Sequence, residues 1–225
     1  MQQQDIPEWL DTDSGTPEEI SDALIDLRNI NRRFGGLDTM QSMIEHVSRT
    51  KRAHSLTILE VAAGAGYVPE TVRVNLEQHG IELKVTLLDR AFTHLPQQED
   101  IRRDAVAADA MALPFAEDSF DIVDCSLFAH HLLPAELLRF VNEGLRVCRA
   151  AVLINDLIRS RLHLFSVYAA LPLFRSRITR HDAIVSVQRA YTVAEMSALL
   201  AKSAAARVEI QRHFLFRMGV IAWKQ

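Results

Sequence analysis

Ile58-Leu-Glu60-Val-Ala62-Ala-Gly64-Ala-Gly66-Tyr-Val-Pro69-Glu70 joins an apolar run to an acid, a glycine-spaced turn and a helix start. Gly64 and Gly66 remove Cβ atoms where a chain turns sharply and brings its backbone close to a ligand. Pro69 suits a first helical turn, whose N–H groups have no partner inside the helix. The stretch therefore offers a seat for a nucleotide-like ligand, and it also fits an ordinary strand-to-helix connection.

Outward from it, short β-rich runs alternate with helical patterns, which predicts parallel strands joined by crossovers. The first strand is expected at 56–62 and a helix at 69–79, with Val72 and Leu76 inward. A second strand at 83–88 closes on Asp89, a third occupies 101–108 and a fourth 119–126. Pro134 opens a helix with Leu137, Leu138, Val141, Leu145 and Cys148 on one face, and a fifth strand follows at 150–154. Thr192-Val-Ala-Glu195 is a capping box that starts a last helix. Strands at about 207–215 and 218–224 are too tightly joined to be parallel, so they form an antiparallel hairpin.

Upstream, Thr16-Pro17-Glu18-Glu19 combines an N-cap, a first-turn proline and a capping-box acid. Ile20, Leu24, Leu27 and Ile30 recur at helical spacing up to Gly35-Gly36, and a second helix is expected at 37–48. Residues 1–50 are read as a helical cap over the pocket, with a packing-only role as the alternative.

The 225 residues suit one domain with additions; 48% are apolar, and 25 Lys+Arg stand against 29 Asp+Glu. A net charge of −4 argues against a nucleic-acid partner. No apolar run approaches a bilayer span and the first residues carry no signal pattern, so a soluble cytoplasmic protein is expected. Cys125 and Cys148 have no metal-ligand spacing and read as buried free thiols, and no metal site is expected.

The acid-and-glycine turn resembles motif I of the class I S-adenosylmethionine (SAM) methyltransferases. The strand order is similar to their sheet over roughly residues 50–225. The resemblance implies an α/β, Rossmann-like fold: a seven-stranded, mostly parallel sheet with an antiparallel C-terminal hairpin and helices on both faces. It implies SAM as cofactor, with Glu60, Ala62, Gly64 and Gly66 at the turn and Ser126 ending the fourth strand. In Leu87-Leu88-Asp89-Arg90, Asp89 would take the ribose hydroxyls or cap a helix. Asp109, followed by Ala110, would take the adenine amine or cap a short turn. Ala62 stands where many members have glycine, and an extended strand end accommodates it. A NAD-type site asks for G-x-G-x-x-G, but its third place is Pro69, and Glu60 would repel a pyrophosphate.

His130 and His131 in Phe128-Ala-His130-His131-Leu follow the fourth strand, where the resemblance is to His-His-Leu segments of quinone-pathway methyltransferases. A histidine with its ordinary pKa of about 6.5 can take a phenolic proton, and one here can equally bond the backbone. Residues 157–191 are expected to be a substrate lid. Within it Arg177, Arg180, His181 and Arg189 would bind an oxygenated acceptor or pair with Asp156 and Asp182. Leu162, Phe165, Tyr168 and Phe174 would line its pocket or belong to the core. The expectation is methyl transfer to a small phenolic, polyketide or quinone-like acceptor, at oxygen, by a monomer or homodimer. Carbon methylation and a catalytically silent SAM-fold partner protein are the alternatives. No Asn-Pro-Pro-Tyr-type motif follows the fourth strand, which argues against nucleic-acid methylation.

Overall fold

Side chains alternate between the two faces of a strand, so a sheet with helices on both faces needs apolar residues at consecutive positions. The strands here meet that demand. The computed structural model describes residues 1–12, 14–90 and 104–225. In it, β1 (Ser55–Val61), β2 (Glu82–Asp89), β3 (Asp104–Ala107), β4 (Phe120–Ser126), β5 (Cys148–Leu157), β6 (Arg207–His213) and β7 (Arg217–Trp223) form one sheet in the order β3-β2-β1-β4-β5-β7-β6. β1 to β5 pair in parallel, and β7 runs antiparallel to both β5 and β6. Six strands thus point one way and β7 the other.

Leu59, Val61, Val123, Cys125, Val152 and Ile154 face one layer, where Leu137, Phe140 and Val141 of α4 (Pro134–Val147) and Met196 and Leu200 of α7 (Val193–Leu200) complete a core. The intervening Ile58, Ile122, Leu153 and Ile221 face the other layer, formed by α2 (Gly36–Lys51) and α3 (Tyr67–Gln78). The boundary expected at residue 50 does not divide the molecule. α2 buries Met40, Met43, Ile44 and Val47 in the second core, so it is a layer of the sheet and not a cap.

α1 (Pro17–Arg33) behaves differently. Its capping box closes as the sequence predicts: Glu19 N donates to Thr16 Oγ1 (3.2 Å) and Thr16 N to Glu19 Oε2 (2.9 Å). It packs against α2 and α6 (Arg177–Arg189), and residues 161–170 form α5 between β5 and α6.

β5 is longer than expected because β7 continues to pair with it as far as Leu157. Cys148 begins β5 with extended backbone instead of ending α4. The hairpin turns within three residues, Leu215 and Phe216 both adopting positive φ. Of the third strand, 101–103 lie outside the described residues, as does the helix that Asp89 might cap. Among the described residues, no helix is long and apolar enough to cross a membrane.

Candidate active site

The strand order reverses between β1 and β4, and at such a switch the loops leaving the carboxyl ends diverge and open a crevice. A cleft of about 1380 Å³ lies there. Its floor is the ends of β1, β2 and β4, with Glu60, Ala62, Gly64, Asp89, Arg90, Asp109, Ala110 and Ser126 among the lining residues. Its roof includes Ile20, Leu24, Leu27 and Ile30, the apolar stripe of α1. That stripe faces open volume, which is why Leu24 stays 39% exposed.

The glycine turn is held in left-handed backbone at Ala62 (φ 55°), Gly64 (φ 50°) and Gly66 (φ 69°). Ala62 is therefore not in the extended conformation expected for it, and an L-residue in this region is disfavoured by about 1–2 kcal/mol. The two glycines serve different ends. A Cβ on Gly64 would meet nothing within 4 Å, whereas one on Gly66 would lie 2.5 Å from Leu87 Cδ1. Gly66, absent from the lining, permits α3 to approach β2. Gly64 keeps its backbone bare toward the cleft, and its N–H donates to Asp89 Oδ2 (2.8 Å), fastening the turn to β2.

Glu60 and Asp124 sit opposite each other on β1 and β4, both fully buried. Burial pushes the Glu60 carboxyl well above the usual carboxylate range, and the facing Asp124 adds to this while Ser126 opposes it. Burial likewise lifts Asp124 to about 7, against the hydrogen bond with Glu60 and the Cys125 backbone. Glu60 Oε2 and both Asp124 oxygens have no donor among the described residues. One proton shared by the two carboxyls accounts for this, since two adjacent buried carboxylates cannot both ionise.

Asp109 Oδ1 accepts from Met111 N (2.8 Å) and shapes the turn after β3. Ser126 Oγ accepts from Asn155 Nδ2 (3.3 Å).

After β4 the chain passes through Leu127 (φ 56°) into a single 3-10 turn, Ala129–His131. His130 is buried between carboxylates, Nδ1 at 2.7 Å from Asp156 Oδ1 and Nε2 at 3.2 Å from Glu8 Oε1. Burial would lower its pKa, but the charges and hydrogen bonds of Asp156 and Glu8 raise it to about 10. Glu8 is correspondingly lowered to about 2: burial raises it, and His130, His131 and Ser186 outweigh that. His131 is less enclosed, with Nδ1 2.9 Å from Asp11 Oδ2. Arg189 donates to the backbone oxygens of His130, His131 and Ile6 and so fixes this corner.

Arg177, Arg180, His181 and Phe165 do not converge on the cleft, whereas Arg189 lines it. Arg177 pairs with Glu19 (2.5 Å) and lies over the Trp9 ring, and His181 stacks on Trp9 (ring centroids 4.0 Å) while bonding Asp182. Arg180 donates to the Phe174 carbonyl (2.9 Å), and Phe165 is 70% exposed. Of Leu162, Phe165, Tyr168 and Phe174, only Phe174 reaches the cleft, joined there by Val167, Ile178 and Val187 of the same segment. Arg177 and His181 instead clamp the N-terminal segment, whose Trp9 and Leu10 N–H groups donate to Asp182 (2.9 and 3.0 Å).

Sequence reasoning missed Glu8 and Asp11, which stand in a polar stretch without pattern, and Arg28, which lies 5.7 Å from the Tyr67 ring at the cleft. It also missed Arg217, fully buried and donating to Asn31 Oδ1 (3.0 Å). A charge at the head of β7, between the apolar pairs Leu215-Phe216 and Met218-Gly219, is the signal that could have found it.

The lining suits an amino-acid-linked nucleoside: an unpartnered buried acid oxygen at Glu60, a bare peptide at Gly64, acids at the ends of β2 and β3, and an arginine at Arg28. A methyltransferase-domain family model matches residues 59–154, from β1 into β5. A search of curated proteins by sequence gives no significant match. Among solved structures, the plantazolicin methyltransferase BpumL, in complex with a pentazolic desmethylPZN analog and SAH, superposes with TM-score 0.71 at 12% identity, covering 96% of this chain and 94% of that one. A SAM-dependent methyltransferase from Aquifex aeolicus gives 0.63 at 16% identity, over 92% and 98%. The CMeT domain of the citrinin polyketide synthase gives 0.55 at 13%, over 75% and 46%. The chain thus carries a methyltransferase-domain match across the strands that form the cleft floor, and it has the fold of methyltransferases that include a SAM-dependent one and one solved with SAH, the product of SAM.

Proposed function

We propose that the protein methylates a hydroxyl on a small, largely apolar phenolic, polyketide or quinone-like acceptor. The observation that carries this is an apolar stretch of the cleft, with Ile20, Leu24, Leu27, Met111 and Phe128, beside a polar corner at Glu8, His130 and His131. An aromatic body fits the walls and its oxygen fits the corner.

SAM, when bound, supplies the sulfonium methyl group. Glu60 would hold its methionyl ammonium, Arg28 its carboxylate and Asp89 its ribose hydroxyls. Asp109 and Ala110 would meet the adenine, with Ala62, Gly64, Arg90 and Ser126 closing the surface. The walls position the acceptor and exclude water, which supplies much of the acceleration of an in-line transfer. His130 has both ring nitrogens engaged by carboxylates, so it positions Glu8 and the turn. The proton acceptor of the pair is His131, whose Nδ1 is held by Asp11 and whose Nε2 edge lies toward Glu8. The acceptor's O–H proton passes to His131 as the oxygen attacks. Residues 1–12, α1 and α6 form the cover on this side of the cleft.

Carbon methylation is the second reading, favoured by the likeness to a polyketide synthase CMeT domain. Incubation with methyl-labelled SAM and a panel of phenols and quinols, with products resolved by mass spectrometry, separates the two. The reading expects a methyl ether, and His131→Ala to lower kcat by about 10²–10⁴-fold, partly restored at higher pH. A carbon-methylated product, or turnover unchanged in His131→Ala, contradicts it; SAM bound without turnover on any acceptor indicates a silent partner protein.

A further inference from the structure

Three potential ligand atoms turn toward one point in the polar corner. Glu8 Oε1 lies 3.2 Å from His130 Nε2 and 3.8 Å from His131 Nε2, and one ligand atom from each of the three residues lies within 4.8 Å of the other two. Ligands on a tetrahedral zinc ion, with bonds of about 2.0–2.1 Å, are separated by about 3.3 Å. A small swing of the less enclosed His131 ring closes the difference. Among the described residues this is the one cluster with such spacing.

We propose that Glu8, His130 and His131 bind a divalent ion of the zinc type, with an open coordination position facing the cleft.

The surroundings are arranged as a metal site needs. A ligating histidine usually donates its other ring N–H to a carboxylate or carbonyl, which fixes the tautomer and orients the ring. Both histidines do so: His130 Nδ1 meets Asp156 (2.7 Å) and His131 Nδ1 meets Asp11 (2.9 Å), so both Nε2 atoms are the ligand atoms. The third ligand is oriented too, since Ser186 Oγ donates to Glu8 Oε1 (2.7 Å), and Arg189 pins the backbone of both histidines. Two imidazoles and one carboxylate with a fourth position open is a donor set that catalytic zinc sites use, and imidazole nitrogen suits zinc-type ions better than calcium or magnesium.

The groups facing the point are Glu8, His130 and His131, with Asp11, Asp156 and Arg189 behind them. An imidazole ligates through an unprotonated nitrogen, so binding of the ion is coupled to pH. Glu8 belongs to the N-terminal segment and the histidines to the turn after β4, so the ion also ties the segment to the sheet.

The ion's role, though not its binding, rests on the acceptor chemistry above. The open position receives the acceptor hydroxyl, whose proton leaves to solvent on coordination, and the metal-held oxygen is then the nucleophile. With the ion bound, His131 is a ligand and not the base.

The test is titration of the chelator-treated full chain with Zn2+ by calorimetry in two buffers of different ionisation heat, and with Co2+ by visible absorption. One ion per chain, proton release and a Co2+ spectrum of a low-coordinate site are expected. His131→Ala and Glu8→Gln should each weaken binding at least tenfold, and His79→Ala, on an exposed ring away from the cleft, should leave it unchanged. Absence of stoichiometric binding, or binding unaffected by His131→Ala, overturns the proposal. His131 is partly exposed, so its variant remains interpretable if Glu8→Gln does not fold. Labelled product formed at full rate in chelator removes the ion's role and leaves the methylation reading standing. Stoichiometric binding with no methylated product leaves the site standing and removes that reading.

Discussion

Two carboxyls facing each other beneath the glycine turn give the protein a residue-scale pH response. Asp124 and Glu60 are raised above their unfolded values, so their contribution to stability is complete below about pH 4 and is lost as pH rises through the region of 7 for Asp124. Asp124→Asn should therefore flatten the decline in melting temperature between pH 5 and 8, and thermal melts of the ligand-free protein check this. The glycines offer a sharper comparison. Gly66→Ala meets Leu87 at 2.5 Å with φ +69° and should destabilise the fold, whereas Gly64→Ala meets no atom and should lose about 1–2 kcal/mol from its backbone alone while impairing SAM binding. Ala62→Gly should stabilise by about 0.5–1 kcal/mol, the relief of a positive φ less the added freedom of the unfolded chain. Denaturant melts and calorimetric titration of each variant separate folding from binding. That Glu60, Asp89, Asp109 and Gly64 line the cleft was legible because they lie at or just past strand ends, and strand ends follow from apolar periodicity. The conformation of Ala62 was not, since a left-handed φ at a non-glycine residue leaves no mark in a sequence.

Elements built from local signals emerged where the sequence placed them. The capping boxes at Thr16 and Thr192 both close, and the terminal strands pair antiparallel as their short link requires. What failed was the partnering of elements. α2 carries an amphipathic pattern that fits a cap or a sheet layer equally, and only the position of β5 and β7 decides that Met40 and Ile44 lie in the core. Likewise Arg177 and His181 have the composition of an anion site, but Trp9, from the far N-terminal side of the sequence, occupies them. Asp182 is the anchor of that contact. Asp182→Ala leaves the Trp9 and Leu10 N–H groups without their acceptor and should lose about 1–3 kcal/mol. Amide exchange should rise across residues 1–12 with the sheet unaffected; protection unchanged in that segment would contradict the clamp.

At the scale of the molecule, a rigid sheet with two buried cores presents its carboxyl edge to a cleft whose other side is made of α1, α6 and the N-terminal segment. The division of labour follows from this. Residues on strand ends are held by the cores and, in the proposed reading, would hold the methyl donor, while residues on the cover would meet the acceptor. The central claim is that the turn at Gly64, with Glu60 and Asp89, grips an amino-acid-linked nucleoside. Calorimetric titration of SAH and of NAD+ into the wild type and Gly64→Val tests it most directly. The account predicts one SAH per chain in the wild type, at least a tenfold weakening in Gly64→Val with the fold retained, and no NAD+ binding. Binding of NAD+ in place of SAH, or SAH binding indifferent to Gly64→Val, would contradict it.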